Sequence, residues 1–377
     1  MYLMGNRGIL ACAGAGKTYT ICSDALSSEG RSLLITYTNK GRTSIEKQTL
    51  ELNNEVPTDK VNVETWFGFL LKEIIRPYQS IYFKALKSGS PVVINYFQSI
   101  DFSTTYGRFN KYKKGTFQYF WSKGRMLRHN ETVVLANILF ELAGDKIIRR
   151  LEQQYSTIFF DEVQDLTGTD MDILRHLIDS RIDVVMVGDP KQFTYRTHEE
   201  HNKNSAISGV NIDKFFKILE QKGKLQVQYK QVTRRFGSAL ADFANSVDPS
   251  GELLAGSGEV SQSEHEGVFI LPLEYLAEYH HAYSPTYLVY DSKQAKKLPN
   301  FCSEVINYGD SKGITREDIV ILPNGQFDKF LLGKPLTAPT KYYIASTRAR
   351  HSIAFIVKNS DKYSSIHSDW PVWKPRS

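Results

Sequence analysis

The chain has 377 residues and a mass of 43.0 kDa, with 41% hydrophobic residues, 23% charged residues and a formal net charge of +6. This composition is typical of a globular protein of two or three domains, and no apolar run approaches the roughly 20 residues of a membrane span. Three scattered cysteines, Cys12, Cys22 and Cys302, lack metal-type spacing and argue against a disulfide framework or a zinc site.

Short apolar runs rich in β-branched and aromatic residues recur along the chain, each followed by a stretch of helical character. Such runs, bounded by Gly, Asp or Pro, predict parallel strands buried on both faces. The predicted strands are Gly8 to Leu10, Ser32 to Tyr37, Thr157 to Phe160, Asp183 to Val187, Val268 to Leu271, Thr286 to Tyr290, Asp318 to Leu322 and Ser352 to Val357. The alternation predicts an α/β fold, with a loop rich in Gly, Ser and acidic residues at Asp248 to Glu266.

A glycine-rich segment follows the first predicted strand. It reads ACAGAGKT, from Ala11 to Thr18, and a stretch of helical character follows it. A polyphosphate requires converging backbone N–H groups, small residues and the positive end of a helix, and Gly14 and Gly16 meet this requirement. We assign Lys17 to the β- and γ-phosphates and the Thr18 hydroxyl to Mg²⁺. Because the motif begins at Ala11, we expect no signal peptide before it and a cytoplasmic protein.

The segment from Arg76 to Arg150 interrupts the α/β alternation. It holds 13 Lys/Arg against 4 Asp/Glu, together with 14 aromatic residues, and ends in a predicted helix over Glu131 to Ala143. We interpret it as a mainly helical insertion. Two interpretations of its aromatic residues stand: they stack on the bases of a single strand whose phosphates contact the cations, or they form the core of the insertion.

An acidic pair follows the predicted strand Thr157 to Phe160. Asp161 and Glu162 stand at its C-terminal end, where open α/β sheets bind their ligands. One carboxylate there can hold Mg²⁺ through water while the other deprotonates the attacking water, so we assign Asp161 to the metal and Glu162 to the water. Each signal alone is compatible with an ordinary turn, but the two together favour an ATPase.

Further motifs resemble those of the UvrD/Rep superfamily 1 helicases and follow that family's order across almost the whole chain. They are TYTNKGR (Thr36 to Arg42), ETWFGFLL (Glu64 to Leu71), FFDEVQDLT (Phe159 to Thr167), VVMVGDPKQFTYR (Val184 to Arg196), SKGITREDIVIL (Ser311 to Leu322) and YYIASTRARHSIAFIV (Tyr342 to Val357). The set is specific because all six motifs occur in the family's order.

The resemblance implies two RecA-like P-loop NTPase lobes with ATP in the cleft between them. Residues 1–75 and 151–222 would form the first lobe with the ATP site, residues 76–150 its mainly helical insertion, and residues 223–377 the second lobe. The family's fourth motif is best matched here by Thr233 to Phe236, and SKGITREDIVIL and YYIASTRARHSIAFIV are similar to its fifth and sixth. In such helicases a large accessory domain lies between motifs four and five, but here only about 65 residues separate Asn245 from Ser311. We therefore expect the accessory domain of the second lobe to be reduced or absent.

The resemblance also assigns roles to individual residues, with ATP and Mg²⁺ as cofactors. The implied ATP contacts are Ala13, Gly14, Ala15, Gly16, Lys17, Thr18 and Gly313, and the implied Mg²⁺ ligands are Thr18 and Asp161. The implied catalytic residues are Glu162, Gln192, Arg235 and the arginine finger Arg348, while Arg350 is expected to stabilise its own helix. The implied DNA contacts are Thr38, Asn39, Thr65, Phe67 and Tyr195.

Some positions depart from the family pattern. Ala11 stands where the phosphate loop usually has Gly, and Arg234 stands where a tyrosine usually stacks on adenine. Phe67 replaces a frequent histidine, which predicts stacking on DNA in place of a hydrogen bond, and Thr315 replaces the acidic residue of motif five. The glutamine motif that recognises adenine has no room before the phosphate loop. Recognition of adenine is therefore the part of the site that departs most from the family.

Two functions are compatible with these observations. The first is an ATP-dependent single-stranded DNA translocase or helicase, with 3′ to 5′ polarity implied by the family, acting in DNA repair or anti-phage defence. The second is a nucleotide-dependent DNA-sensing subunit of a nuclease complex with little unwinding of its own. The compact form of the chain and its segment GFLLKEIIRPY (Gly68 to Tyr78) resemble the helicase-like component of the Gabija anti-phage system, which implies an OLD-family ATPase-nuclease as partner. A P-loop ATPase unrelated to helicases is disfavoured by motifs five and six.

Overall fold

The computed structural model of the protein describes residues 5–85, 100–101, 111–113, 116–122, 126–193, 204–257 and 263–375. The described residues fall into two compact units. The first is drawn from Met1–Leu10, Lys17–Pro190 and Tyr195–Gln228, and the second from Ala11–Gly16, Lys191–Thr194 and Tyr229–Ser377. Each unit contains a parallel β-sheet.

Strands and helices alternate along most of the chain. The strands are β1 (Arg7–Ala11), β2 (Ser32–Thr36), β3 (Val61–Thr65), β4 (Ile100–Asp101), β5 (Leu127–Arg128), β6 (Thr157–Phe160), β7 (Asp183–Gly188), β8 (Gln226–Lys230), β9 (Val232–Thr233), β10 (Ala255–Gly256), β11 (Gly267–Pro272), β12 (Thr286–Val289), β13 (Val305–Asn307), β14 (Arg316–Ile321) and β15 (Ala349–Val357). The helices are α1 (Lys17–Ser27), α2 (Asn39–Leu52), α3 (Trp66–Phe69), α4 (Arg76–Ala85), α5 (Phe117–Phe120), α6 (Thr132–Gln154), α7 (Asp170–Ile178), α8 (Ile212–Gln221), α9 (Ser238–Val247), α10 (Leu276–Tyr283), α11 (Ser292–Ala295), α12 (Gly325–Leu331), α13 (Thr340–Ser346) and α14 (Asp361–Ser364).

The sheet of the first unit has the strand order β3-β2-β6-β7-β1-β8. Strand β2 is parallel to β3 and β6, and β7 is parallel to β6 and β1. Strands β2 and β6 are buried along their whole length, which explains their continuous apolar sequences. Because these five strands run in one direction, the residues that follow β1, β2, β3, β6 and β7 lie along one edge of the sheet.

A large hydrophobic core supports this sheet. Trp66 is fully buried, and its indole Nε1 donates to Oδ1 of the buried Asp170 at 2.8 Å, which satisfies both polar groups. Helix α6 contributes Leu139, Ile147 and other apolar residues to the same core. Its backbone leaves helical geometry at Ala143, immediately before Gly144, because glycine weakens a helix.

The sheet of the second unit has the order β11-β15-β14-β12-β13, and its strand pairs are parallel. One side of it packs with Leu276 and Tyr279 of α10. Val372, near the C-terminal end, forms a parallel bridge with Ile270 of β11. This bridge extends the hydrogen bonding of the sheet past β11.

The structure confirms the predicted α/β class and all eight predicted strands, whose ends differ by up to three residues from those observed. The prediction for Arg350 is wrong. Arg350 lies on strand β15, where its Nη1 donates to Glu317 Oε1 of β14 at 3.0 Å, so it stabilises a pair of strands and no helix. Within the described ranges, no helix is both long enough and apolar enough to cross a membrane.

Candidate nucleotide site and nucleic-acid contacts

The glycine-rich loop leads from β1 into α1. Gly14 and Gly16 have φ values of +77° and +79°, in the left-handed region that favours glycine. A Cβ built on Gly14 would lie 2.3 Å from Thr233 Oγ1 and 2.7 Å from Arg235 Cβ, whereas one built on Gly16 would meet no atom within 4 Å. Gly14 is therefore required by close packing in the second unit as well as by its backbone conformation.

The segment around β9 braces this loop through backbone hydrogen bonds. Cys12 N donates to Lys230 O, and Arg234 N donates to Gly14 O, both at 2.9 Å. These bonds lie within the second unit. They orient the loop, and within it Ala15 N donates to Cys12 O at 3.2 Å.

Lys17 and Thr18 stand at the N-terminus of the 11-residue helix α1 in the first unit, and both are half-buried. The positive end of a helix, an ammonium group and the backbone N–H groups of the first helical turn together favour an anion. Thr18 also brings a hydroxyl oxygen to the same helical turn. The pair is suited to phosphate and to a metal bound with it.

The acidic pair forms a tight turn after β6. Asp161 N donates to Ile35 O at 2.8 Å, and Asp161 Oδ1 accepts from Glu162 N at 3.1 Å. Glu162 has φ +54° and ψ 43°, and its carboxylate accepts a hydrogen bond from Gln164 Nε2. Each of the two adjacent carboxylates is thus held by a hydrogen bond within the turn.

The available oxygen ligands are those that Mg²⁺ prefers. Mg²⁺ is usually held by one or two carboxylates together with substrate phosphates and water. Thr18 and Asp161 provide a hydroxyl and a carboxylate at the same edge of the sheet of the first unit. Within the described ranges, no group of three or more His, Cys, Asp and Glu residues could hold a metal by itself. The residues therefore fit a Mg²⁺ ion that arrives with a nucleotide.

Gln192 and Arg348 are in contact within the second unit. Arg348 is 1% exposed, and its Nη2 donates to Gln192 Oε1 at 3.2 Å. Its Nε donates to Ile344 O at 2.8 Å, and Nη1 has longer contacts with the carbonyl oxygens of Ser311 and Ile314 at 3.5 and 3.4 Å. Gly313, with φ +83°, allows the chain to turn between these two carbonyls. Arg348 thus connects its own motif with the motif that contains Gln192 and the motif that contains Ser311 and Ile314.

Arg235 provides a second guanidinium group in this unit. Its Nη1 donates to Thr347 O at 2.6 Å, and among the described residues none forms an ion pair with it. Burial, and then the positive charges of Arg348 and Arg350, lower the pKa of Arg235 to about 9. A desolvated cation beside other cations is stabilised by an anion. The cluster therefore favours a phosphate-sized anionic ligand.

The predicted DNA contacts follow β2 and β3, which are neighbours in the sheet. Thr38 caps α2 by accepting from Gly41 N at 3.0 Å, and Thr65 caps α3 by accepting from Gly68 N at 3.1 Å. Thr38 and Asn39 are exposed, and Thr65 is half-buried. Both threonine hydroxyls thus have structural partners. Tyr195 lies outside the described residues.

Phe67 lies among other rings. Its centroid is 4.0 Å from that of His129 and 6.1 Å from that of Tyr37. All three residues are half-buried. They form a partly accessible aromatic surface on which a base can stack.

The basic and aromatic segment is described in part, and its aromatic residues divide into two groups. Phe120 and Trp121 are buried and pack against Tyr82, with ring centroids 5.4 and 6.1 Å from it. These support the interpretation as the insertion's own core. Tyr112 instead has Lys111 and Arg128 at 5.5 Å from its centroid, a combination of cation and ring suited to a nucleic-acid strand.

Gln164 is a candidate functional residue that the sequence interpretation did not single out. It is fully buried and contacts both Glu162 and Asp189. It is the glutamine of the motif FFDEVQDLT, so its place in that motif could have indicated a functional role. Its partner at Asp189 could not be foreseen from the motif.

Two solved structures are similar to the chain at low identity. The arterivirus nonstructural protein 10 helicase in complex with DNA is 13% identical, with 96% of this chain and 62% of that chain covered and a TM-score of 0.46. The helicase of PRRSV is 15% identical, with 99% and 55% covered and a TM-score of 0.43. The chain thus spans less than two thirds of the length of these proteins. No curated protein matches it in sequence.

A family comparison gives a more local result. Residues 109–206 match the UvrD/REP helicase N-terminal domain. The match covers about a quarter of the chain and includes the acidic pair and Gln192. The chain therefore contains a segment similar to the N-terminal domain of UvrD/REP helicases.

Proposed function

We propose that the protein is an ATP-dependent single-stranded DNA translocase or helicase. The observation that carries this proposal is the common edge of the sheet of the first unit. Lys17 and Thr18 follow β1, the acidic pair follows β6, and Thr38 and Thr65 follow β2 and β3. This edge brings the proposed nucleotide site and the proposed strand-binding residues onto one unit. The family match at residues 109–206 supports the helicase part of the proposal.

In the proposed reaction each residue has a defined task. The loop Ala13–Gly16 and Lys17 bind the phosphates, Thr18 and Asp161 hold Mg²⁺, and the Glu162 carboxylate accepts a proton from the attacking water. Bound Mg²⁺ would neutralise charge on the phosphates. Gln192, Arg235 and Arg348 are proposed to bind the terminal phosphate, and Gly313 shapes the loop that contacts Arg348.

We further propose that the units correspond to two RecA-like lobes, with residues 76–150 inserted in the first and the accessory domain of the second reduced or absent. The described part of the stretch from Asn245 to Ser311 supports this, since it is occupied by β10, β11, α10, β12, α11 and β13. Four of these elements belong to, or pack on, the sheet of the second unit. Little of the stretch is left for another domain.

The experiment is a steady-state ATPase assay with and without single-stranded DNA. Hydrolysis should rise at least about tenfold with DNA and be lost in Lys17→Ala, since Lys17 is proposed to bind the phosphates. Lys47→Ala, an exposed position on α2, is the matched control and should behave like wild type. Hydrolysis that does not respond to DNA, or that survives in Lys17→Ala, would contradict the proposal.

The second candidate is a nucleotide-dependent DNA-sensing subunit of a nuclease complex, in repair or in anti-phage defence. The same short stretch between Asn245 and Ser311 favours it, because it leaves little material for a domain that engages the duplex. The proposed partner is an OLD-family ATPase-nuclease, by resemblance to the Gabija system. A strand-displacement assay on 3′- and 5′-tailed duplexes separates the candidates: robust unwinding by the isolated chain contradicts the second, and a requirement for the partner supports it.

A further inference from the structure

Gln164 connects the ends of two neighbouring strands of the first unit. Its Nε2 donates to the carboxylate of Glu162, which follows β6. Its Oε1 accepts from the backbone N–H of Asp189, which follows β7, at 3.1 Å. Only this orientation of the amide satisfies both partners, because a carboxylate accepts and a backbone N–H donates.

The surroundings of this amide fix its position. Gly188 precedes Asp189, and a Cβ built on Gly188 would come 2.5 Å from Gln164 Oε1 and 2.9 Å from a methyl carbon of Val163. Both distances are too short for real atoms, so a side chain at position 188 would displace the amide. Glycine at the end of β7 therefore permits the approach on which the bond to Asp189 depends.

Glu162, the residue that receives the other bond, is itself in an unusual conformation. Its φ of +54° lies in the left-handed region, which a glutamate rarely adopts. Such backbone persists where the surrounding contacts hold it, and it is frequent at functional sites. Asp161 Oδ1 holds the Glu162 backbone N–H, while Gln164 holds the Glu162 side chain.

We propose that Gln164 is a positioning residue for ATP hydrolysis, aiming the Glu162 carboxylate through a hydrogen bond that the end of β7 holds in place. The inference rests on the proposed function, in which Glu162 accepts the proton of the attacking water. A general base must lie within hydrogen-bond distance of that water, so the direction of its carboxylate decides the rate. An amide suits the task because it always carries N–H donors, whereas a second carboxylate would repel Glu162.

Gln164→Glu separates the two bonds of this side chain. The substitution keeps the shape and an oxygen for the Asp189 N–H, but removes the donor to Glu162. We expect kcat for ATP hydrolysis to fall by about 10- to 100-fold, with the Kd for the non-hydrolysable analogue AMP-PNP close to wild type. The melting temperature should fall, because the new carboxylate is buried beside that of Glu162. Gln153→Glu, an exposed position on α6, is the matched control and should keep kcat within about twofold.

A double variant tests whether Gln164 acts through Glu162. In a Glu162→Gln background, Gln164→Glu should cause no further loss, so that the residual rates of the single Glu162 variant and the double variant agree. A merely structural role would lower the residual rate in both backgrounds. That result would overturn the inference.

The failure of this inference can be distinguished from the failure of the proposed function. Absence of ATP hydrolysis by the wild-type chain with DNA overturns both. If the wild type hydrolyses ATP and Glu162→Gln does not, the proposed function stands. A kcat of Gln164→Glu within about twofold of wild type would then overturn the role of Gln164 alone.

Discussion

In the first unit the residues proposed to act on metal and water are neighbours in sequence, whereas in the second unit Arg235 and Arg348 belong to distant segments. Asp161, Glu162 and Gln164 lie in one turn after β6, held by short-range hydrogen bonds. The bond from Arg235 to Thr347 O spans 112 positions. A local turn can therefore lose a functional group without losing its shape, but the arginine cluster also holds its unit together.

The largest expected effect concerns the turn after β6 in the first unit. Glu162→Gln keeps the size of the side chain and removes the proposed base, so kcat should fall by about 10³-fold, or about 4 kcal/mol in the activation barrier. The melting temperature should stay close to wild type. Single-turnover hydrolysis and thermal unfolding measure the two quantities, and Glu141→Gln, exposed on α6, is the control. If Glu162→Gln lowered the melting temperature as much as Arg348→Ala, the turn after β6 would depend on its functional group for stability, contrary to the expectation.

Arg348→Ala tests the contacts between distant segments in the second unit. The substitution leaves the buried groups Gln192 Oε1 and Ile344 O without their charged donor, so we expect the second unit to lose about 3 kcal/mol of unfolding free energy. Arg348→Lys should recover only part of it, because an ammonium group lacks the planar fork. Arg350→Ala breaks an exposed ion pair between β15 and β14 and should cost less than about 1 kcal/mol. Urea denaturation measures all three, and equal stability of Arg348→Ala and wild type would contradict the expectation.

His265 extends the comparison to pH. Its ring is 7% exposed and stacks between Phe269 and Tyr283, with Nε2 2.7 Å from the Tyr279 hydroxyl. Burial, and to a lesser extent His351, lower the pKa of His265 from 6.5 to about 4. Because the unfolded chain binds this proton at higher pH, the stability of the buried neutral ring is complete above about pH 6.5. It is lost as pH falls toward 4, by up to about 3 kcal/mol.

His265→Phe keeps the stacked ring and removes the titration. Urea midpoints between pH 4 and pH 7 should therefore fall less steeply in the variant than in the wild type. Burial raises the pKa of Asp318, which gives a slope of opposite sign, but this slope is common to both proteins. Parallel pH profiles would show that His265 does not titrate in the predicted range.

The smallest expected effect concerns Thr38. Thr38→Ala removes the cap on Gly41 N and should cost about 1 kcal/mol of unfolding free energy, while Thr38→Ser keeps the hydroxyl and most of the stability. If Thr38 also contacts DNA, Thr38→Ala weakens single-strand binding in fluorescence anisotropy and Thr38→Ser does not. Equal DNA affinities would assign Thr38 to capping alone.

The strands that the sequence pattern did not predict show where such prediction fails. Strands β3 and β8 end the order of the first sheet, and β13 ends that of the second. An edge strand is buried on fewer sides, so it tolerates polar residues and lacks the continuous apolar run of a central strand. Strand β8 reads QVQYK and is mostly exposed, which is why its sequence resembles a loop.

The sequence by itself determined the α/β class, the central strands and the local turns, because a phosphate loop or an acidic turn is built by residues that are neighbours in the chain. Only the tertiary structure decided that Gly14 must make room for Thr233, that Gln164 must reach Asp189, and that Arg348 must lie beside Gln192. These contacts join segments whose distance depends on strand order and register. Strand order and register follow from the packing of the whole sheet, and no short segment of sequence encodes them.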